Sequence, residues 1–166
     1  MAEAFNKVEL AEMVTTFYAK ADAGVRMVEL LPYISEDMHM TWTPTCQFDG
    51  HAGFEEFYDN LRRASFNRKH VVSDIVVDIA GETAKISFAI HLTATVWWPP
   101  APRSVPVDNY ANFVWVLKRS PTTGRPVVST YALTKVSFTK DSTIMNADVV
   151  FKYPQPMWGP FVMPPE

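Results

Sequence analysis

Apolar residues recur at Leu10, Val14, Phe17 and Ala21, spacings of four and three that place them on one face of a helix. Gly24 stands just beyond the last of them, where a glycine can take the left-handed conformation that closes a helix. Val25, Val28 and Leu31 predict a shorter second helix bounded by Pro32. From Asp37 to Thr43 the period drops to two, with Met38, Met40 and Trp42 alternating against His39, Thr41 and Thr43; this predicts a short strand ended by Pro44, then a loop holding Cys46. Phe54, Phe57, Tyr58 and Leu61 restore helical spacing, with Glu55, Glu56, Asp59, Arg62 and Arg63 on the other faces, and predict a third helix.

From His70 onward the period is two again and β-branched residues dominate. His70 to Ile79, a turn at Ala80-Gly81-Glu82, and Thr83 to Trp98 read as a hairpin. Pro99, Pro100, Pro102 and Pro106 cannot donate to a ladder and mark a loop or a ragged edge, after which Val107 to Lys118 and Pro126 to Phe138 supply two more strands. Helices first and strands afterwards predict an α+β domain over residues 1–140, with three helices packed in a strongly curved antiparallel sheet. The part of the inner face that the helices leave bare would be a cone-shaped cavity for a small ligand. Residues 141–166 form a proline-rich tail carrying Phe151, Tyr153, Trp158 and Phe161. Exposed aromatics are costly, so the tail is expected to pack on the domain or on a partner subunit, or to close over the cavity mouth.

Composition narrows the class. A chain of 166 residues suits one core, and its fifteen Lys and Arg are scattered among eighteen Asp and Glu, which leaves no basic footprint for nucleic acid. Cys46 is the single cysteine, which excludes an internal disulfide framework and fits a reducing compartment. Charges in the opening Met1 to Glu9 argue against a secretory signal, and the longest uncharged stretch, Ile86 to Pro102, is too short and too interrupted by proline to span a bilayer. The reading is a cytosolic protein with neither nucleic-acid nor membrane partner. No Gly-rich phosphate loop, G-x-S-x-G turn or HExxH is present, and a metal pair at His51 and Glu55 lacks a third ligand, so no cofactor and no metal is expected.

Four segments carry a family resemblance: Tyr18-Ala-Lys-Ala-Asp22-Ala-Gly24, Gly50-His51-Ala52-Gly53-Phe54, Arg68-Lys-His70-Val-Val-Ser-Asp74 and Tyr110-Ala-Asn112-Phe-Val-Trp115. Their order and spacing over Val8 to Phe138 resemble the nuclear transport factor two-like superfamily, within it the SnoaL-like polyketide cyclases and the scytalone dehydratase-like proteins. The resemblance implies a cavity-facing His70, a cavity asparagine at Asn112, and helix side chains from Tyr18 and Asp22, with Phe17 the alternative match to the tyrosine. Trp42 stands where a ketosteroid isomerase would carry its aspartate base, and a small residue near Ala94 where the dehydratases carry a second histidine. Tyr110 replaces a smaller serine of the dehydratase pattern. The reaction is therefore expected to depart from those of both relatives.

Histidine is the side chain that can both take and return a proton near neutral pH, which makes His70 the expected base at a carbon next to a carbonyl. Asp22 is its expected partner and Tyr18 an oxyanion donor, while Asn112 and Tyr110 orient substrate and Trp42 and Phe17 form apolar wall. Asp74, four residues on and about 13 Å along the strand, is expected to define another part of the wall. Ordinary core packing is the competing reading for each aromatic. The expected function is a cofactor-free acid–base enzyme, a cyclase, dehydratase or isomerase, acting on a hydrophobic oxygenated small molecule such as a polyketide-like or aromatic intermediate. The alternative is a non-catalytic binding or assembly subunit resembling the β subunit of aromatic-ring hydroxylases, in which Phe17, Trp42 and Tyr110 would plug the cavity. A homodimer through the outer sheet face is also expected, from Val71, Ile75, Val77, Ile79, Ala89, His91 and Thr93.

Overall fold

The computed structural model describes residues 4–97, 103–144 and 147. They form helix α1 (Lys7–Asp22), two 3-10 turns (Met27–Glu29 and Leu31–Tyr33), strands β1 (Ile34–Thr43) and β2 (Cys46–Asp49), helix α2 (Gly50–Ala64), and strands β3 (Ser65–Ala80), β4 (Thr83–Val96), β5 (Val105–Arg119) and β6 (Pro126–Phe138). Asn6 caps α1 by accepting from the backbone N–H groups of Val8 and Glu9, and the predicted stripe is buried together with Met13 and Tyr18. Gly24, at φ 65°, ends the helix as its position predicts.

The predicted second helix is instead the pair of 3-10 turns, closed by bonds from Leu30 N–H to Met27 O and from Tyr33 N–H to Leu30 O. Pro32 has no N–H to continue an α-helical ladder, and the segment before it is too short to repay helix nucleation. The segment read as a loop around Cys46 is β2, hairpin partner of β1.

The fold class is α+β, as expected, with one difference in the sheet. Its order is β2-β1-β6-β5-β4-β3, and β1 runs parallel to β6 while the other neighbours are antiparallel. The sheet curves around α1 and α2 without closing, and the core between them is built on Leu10, Val14, Phe54, Met38, Met40, Ile86, Ile90, Trp115 and Leu117. Among the described residues no helix is long and apolar enough to cross a membrane.

Two β-bulges decide which face of β3 each residue takes. Register against β4 shifts between Phe66 and Lys69 and again between Ser73 and Val76, and Asn67 (φ 52°) and Asp74 (φ 54°) hold the positive φ at each shift. Asn and Asp tolerate that region better than other non-glycine residues. Each bulge adds one residue, so the odd–even phase changes at each. Ser65 faces inward; Arg68, His70 and Val72 follow; beyond the second bulge the inward set is Ile75 and Val77. Asp74 is therefore the exposed extra residue of a bulge, with the Ser73 hydroxyl donating to it at 3.1 Å, and not part of the cavity wall. Ile75 and Val77 belong to the core rather than to an outer face. Ile79, on their phase, pairs with buried Ala84.

Candidate active site

Between α1, α2 and the inner sheet face lies a cavity of about 110 Å³, walled mostly by apolar and aromatic side chains. His70 reaches it from β3. Asp22, the last residue of α1, faces the imidazole: its Oδ2 accepts from the backbone N–H of His70 at 2.9 Å, and its Oδ1 pairs with Nδ1. A carboxylate at a helix C-terminus meets the unfavourable end of the macrodipole, and the two donors from β3 offset that. With Nδ1 committed, Nε2 is the nitrogen left for the cavity. The two side chains are 14% and 24% exposed.

The Tyr18 ring lies 4.9 Å from the imidazole, centre to centre, and its hydroxyl meets that of Tyr131 at 2.6 Å. Burial pushes both phenols above the ordinary phenol range, and the neighbouring phenol raises Tyr18 further. One hydroxyl must donate to the other, so the accepting phenol keeps a proton of its own to donate elsewhere. A raised folded value means that the native state holds these protons more tightly than the unfolded chain. The associated stability is full below the unfolded phenol value of about 10 and is lost as pH rises through the folded values. Urea midpoints should therefore fall above about pH 10, and fall less steeply in Tyr131→Phe; parallel curves for the two proteins would contradict the burial argument.

Phe17 and Tyr18 both line the cavity. Trp42 lines it too, 5.0 Å from Phe57, with its indole N–H donating to Ala147 O at 2.8 Å. Ile144 lines the same end and packs with Ala64, Val96 and Val107. The start of the tail thus borders the cavity; Trp158, Phe161 and the expected closure by them lie outside the described residues.

Tyr110 and Asn112 do not reach the cavity. Inward positions of β5 are Val107, Asn109, Ala111, Phe113, Trp115 and Leu117, which leaves Tyr110 and Asn112 on the outer face. Tyr110 is 56% exposed and stacks on His91 at 4.4 Å, and His91 Nε2 pairs with Asp108 at 2.9 Å. Asn112 is exposed opposite Lys135. The cavity asparagine is Asn109, 6% exposed and in the row His70, Leu92, Asn109 across β3, β4 and β5. Counting back in twos from Trp115 and Phe113 reaches it, a signal that motif matching overrode. Tyr131, opposite Trp115, and Arg68, two residues before His70, were also missed. His51 bonds to Ile34 O at 2.8 Å, a contact that ties α2 to β1.

No family model and no curated protein matches the chain. Solved structures do. A proposed aromatic ring hydroxylase from Novosphingobium aromaticivorans DSM aligns with a TM-score of 0.67 at 15% identity, covering 80% of this chain and 92% of the other. A proposed scytalone dehydratase from N. aromaticivorans DSM 12444 gives 0.60 at 14%, covering 81% and 86%. A proposed dehydratase of the nuclear transport factor two-like family from Streptomyces avermitilis gives 0.60 at 14%, covering 81% and 97%. The chain has the nuclear transport factor two-like fold. At these identities the likeness speaks for the architecture, a cone that hosts dehydratases beside other activities, and the chemistry must come from the side chains in it.

Proposed function

We propose that this chain is an acid–base enzyme that abstracts and returns a proton on a hydrophobic, oxygenated small molecule, giving dehydration, isomerisation or cyclisation without a cofactor. The observation that carries the reading is His70, oriented by Asp22 and presenting its second nitrogen to an apolar cavity. Nε2 takes a proton from a carbon next to a carbonyl, and the Asp22 carboxylate stabilises the imidazolium that results. As charge moves onto the carbonyl oxygen, the free proton of the Tyr18–Tyr131 pair donates to it. The imidazolium then returns its proton, to a departing hydroxyl in a dehydration or to another carbon in an isomerisation. Asn109 can hold a substrate hydroxyl or carbonyl through either end of its amide. A polyketide-like or aromatic intermediate fits the wall of Phe17, Trp42, Phe57 and Phe113.

The assembly-subunit alternative has in its favour the likeness to a proposed aromatic ring hydroxylase. It called for a plugged cavity; Tyr110, one of the three plugs, lies on the opposite face, and Phe17 and Trp42 form wall around open space. The homodimer remains part of the proposal, now resting on Val71, Val76 and Tyr110 exposed on the outer sheet face.

The test follows deuterium uptake from heavy water into aryl ketones, read by mass spectrometry, in the wild type and in Asp22→Asn. The wild type should exchange the hydrogen next to the carbonyl, with the variant slower by about tenfold or more. Asp22→Glu should recover part of the rate, since a carboxylate and not merely a polar group is required. Equal rates in wild type and Asp22→Asn, or no exchange in either, would sink the reading.

A further inference from the structure

Arg68 brings a full positive charge to a cavity whose wall is mostly apolar and aromatic. It is half-buried and lines the cavity two residues before His70, inward because of the bulge at Asn67. Neutral groups position it. One terminal nitrogen donates to Ala21 O at 3.0 Å, the other to Ser65 Oγ at 3.4 Å, and the guanidinium lies 5.9 Å from the centre of the Tyr58 ring. Ser65 in turn donates its hydroxyl proton to Leu61 O at 2.6 Å, which leaves its oxygen to accept from Arg68. No carboxylate among the described residues forms an ion pair with Arg68. Asp22 is the nearest acid in sequence to its Ala21 contact, and both Asp22 oxygens are taken by His70.

Capping the last carbonyls of α1 is a sufficient role for a surface cation. It does not use the rest of the guanidinium, which is partly withdrawn from water with no direct ion pair among the described residues and only the nearby Asp22 charge to offset its burial. Burial lowers the Arg68 pKa from its usual value, and the neighbouring Asp22 charge works against that shift. A guanidinium has five N–H donors in a planar fork that matches a carboxylate, and two contacts leave donors to spare.

We infer that Arg68 is the recognition group for an anionic oxygen on the substrate, so that the cavity takes a hydrophobic acid, its carboxylate on Arg68 and its carbon skeleton against the aromatic wall. The inference rests on the cavity being the substrate site of the proposed enzyme, but it is tested by binding and not by turnover.

Cinnamate and its uncharged analogue cinnamamide share a shape and differ in charge. Titrated calorimetrically into the full chain, cinnamate should bind at least about tenfold more tightly than cinnamamide, and Arg68→Gln should bring the ratio close to one. Arg68→Lys, which keeps the charge without the fork, should retain a smaller preference. Binding of the two probes is read apart from proton transfer, so failed deuterium exchange with an intact acid preference counts against the enzyme and not against Arg68. Equal affinity for the two probes, no binding of cinnamate, or an unchanged ratio in a folded Arg68→Gln overturns the inference. Should the glutamine variant not fold, the wild-type ratio alone decides.

Discussion

Replacing His70 with alanine leaves the fold standing and lowers turnover about a hundredfold or more, the usual contribution of a positioned acid–base group. The structure explains both halves of that expectation. The imidazole sits at the cavity wall on β3, so its removal opens no large void in the core. The backbone N–H at position 70, which donates to Asp22 at 2.9 Å, survives the substitution and keeps the end of α1 tied to the sheet. What disappears is the nitrogen that faces the cavity. Rates of deuterium uptake by an aryl ketone, measured beside thermal melts of the same preparations, separate the two effects. An alanine variant with wild-type rates would remove His70 from the mechanism.

Trp115→Ala should have the largest effect on stability, about 3–5 kcal/mol, the range for truncating a buried large aromatic. Trp115 is fully buried, edge-on to Phe17 at 5.2 Å and to Phe88 at 5.1 Å, with Tyr18 and Tyr131 at 6.0 and 5.5 Å. Among the described residues its indole nitrogen has no hydrogen-bond partner, so the loss is one of packing. For a domain whose total stability is of the order of 5–15 kcal/mol, that brings unfolding within reach of mild denaturant. The void would also free the two phenols that Trp115 braces, so turnover should fall along with the urea midpoint. Trp115→Phe, which keeps an aromatic ring there, should cost much less. A loss below about 1 kcal/mol for the alanine variant would mean that this cluster is not the centre of the core.

Periodicity revealed the architecture because each long element buries one face. The stripe through Leu10, Val14, Phe17 and Ala21, and the change from helical spacing to alternation, survive any error in the loops. Asp22 and His70 were legible for another reason: the resemblance supplied both, and their side chains meet. The misplacements share one cause. Alternation gives two faces but does not say which is inner, and a single extra residue exchanges them. Asp74 is an ordinary residue in a sequence read by period, so a count in twos from His70 puts it on the wall, whereas Arg68 shares the phase of His70 with no bulge between them and was open to the same count. On β5 no bulge intervenes between Asn109 and Asn112; the large residues Phe113 and Trp115 carried the correct phase, and an asparagine of the right type stood on the wrong one. Tyr131 could be found only through its pairing with Trp115, which is not local information.

The strands of the first hairpin differ in length. Sixteen residues of β3 run beside fourteen of β4, and the surplus is taken up by the two bulge residues. Each surplus residue bends the strand and adds twist, so the longer chain is the one that curls over α1. A β3 trimmed of both Asn67 and Asp74 would match β4 residue for residue and would still turn His70 inward, since removing the extra residue restores regular pairing on the same face. Its sheet would be flatter, and Asp22, carried by a helix that no longer nests against the curl, would lose its hold on the imidazole. The cavity is in this sense a product of arithmetic between neighbouring strands: a mismatch in chain length, stored as curvature, makes room for the chemistry.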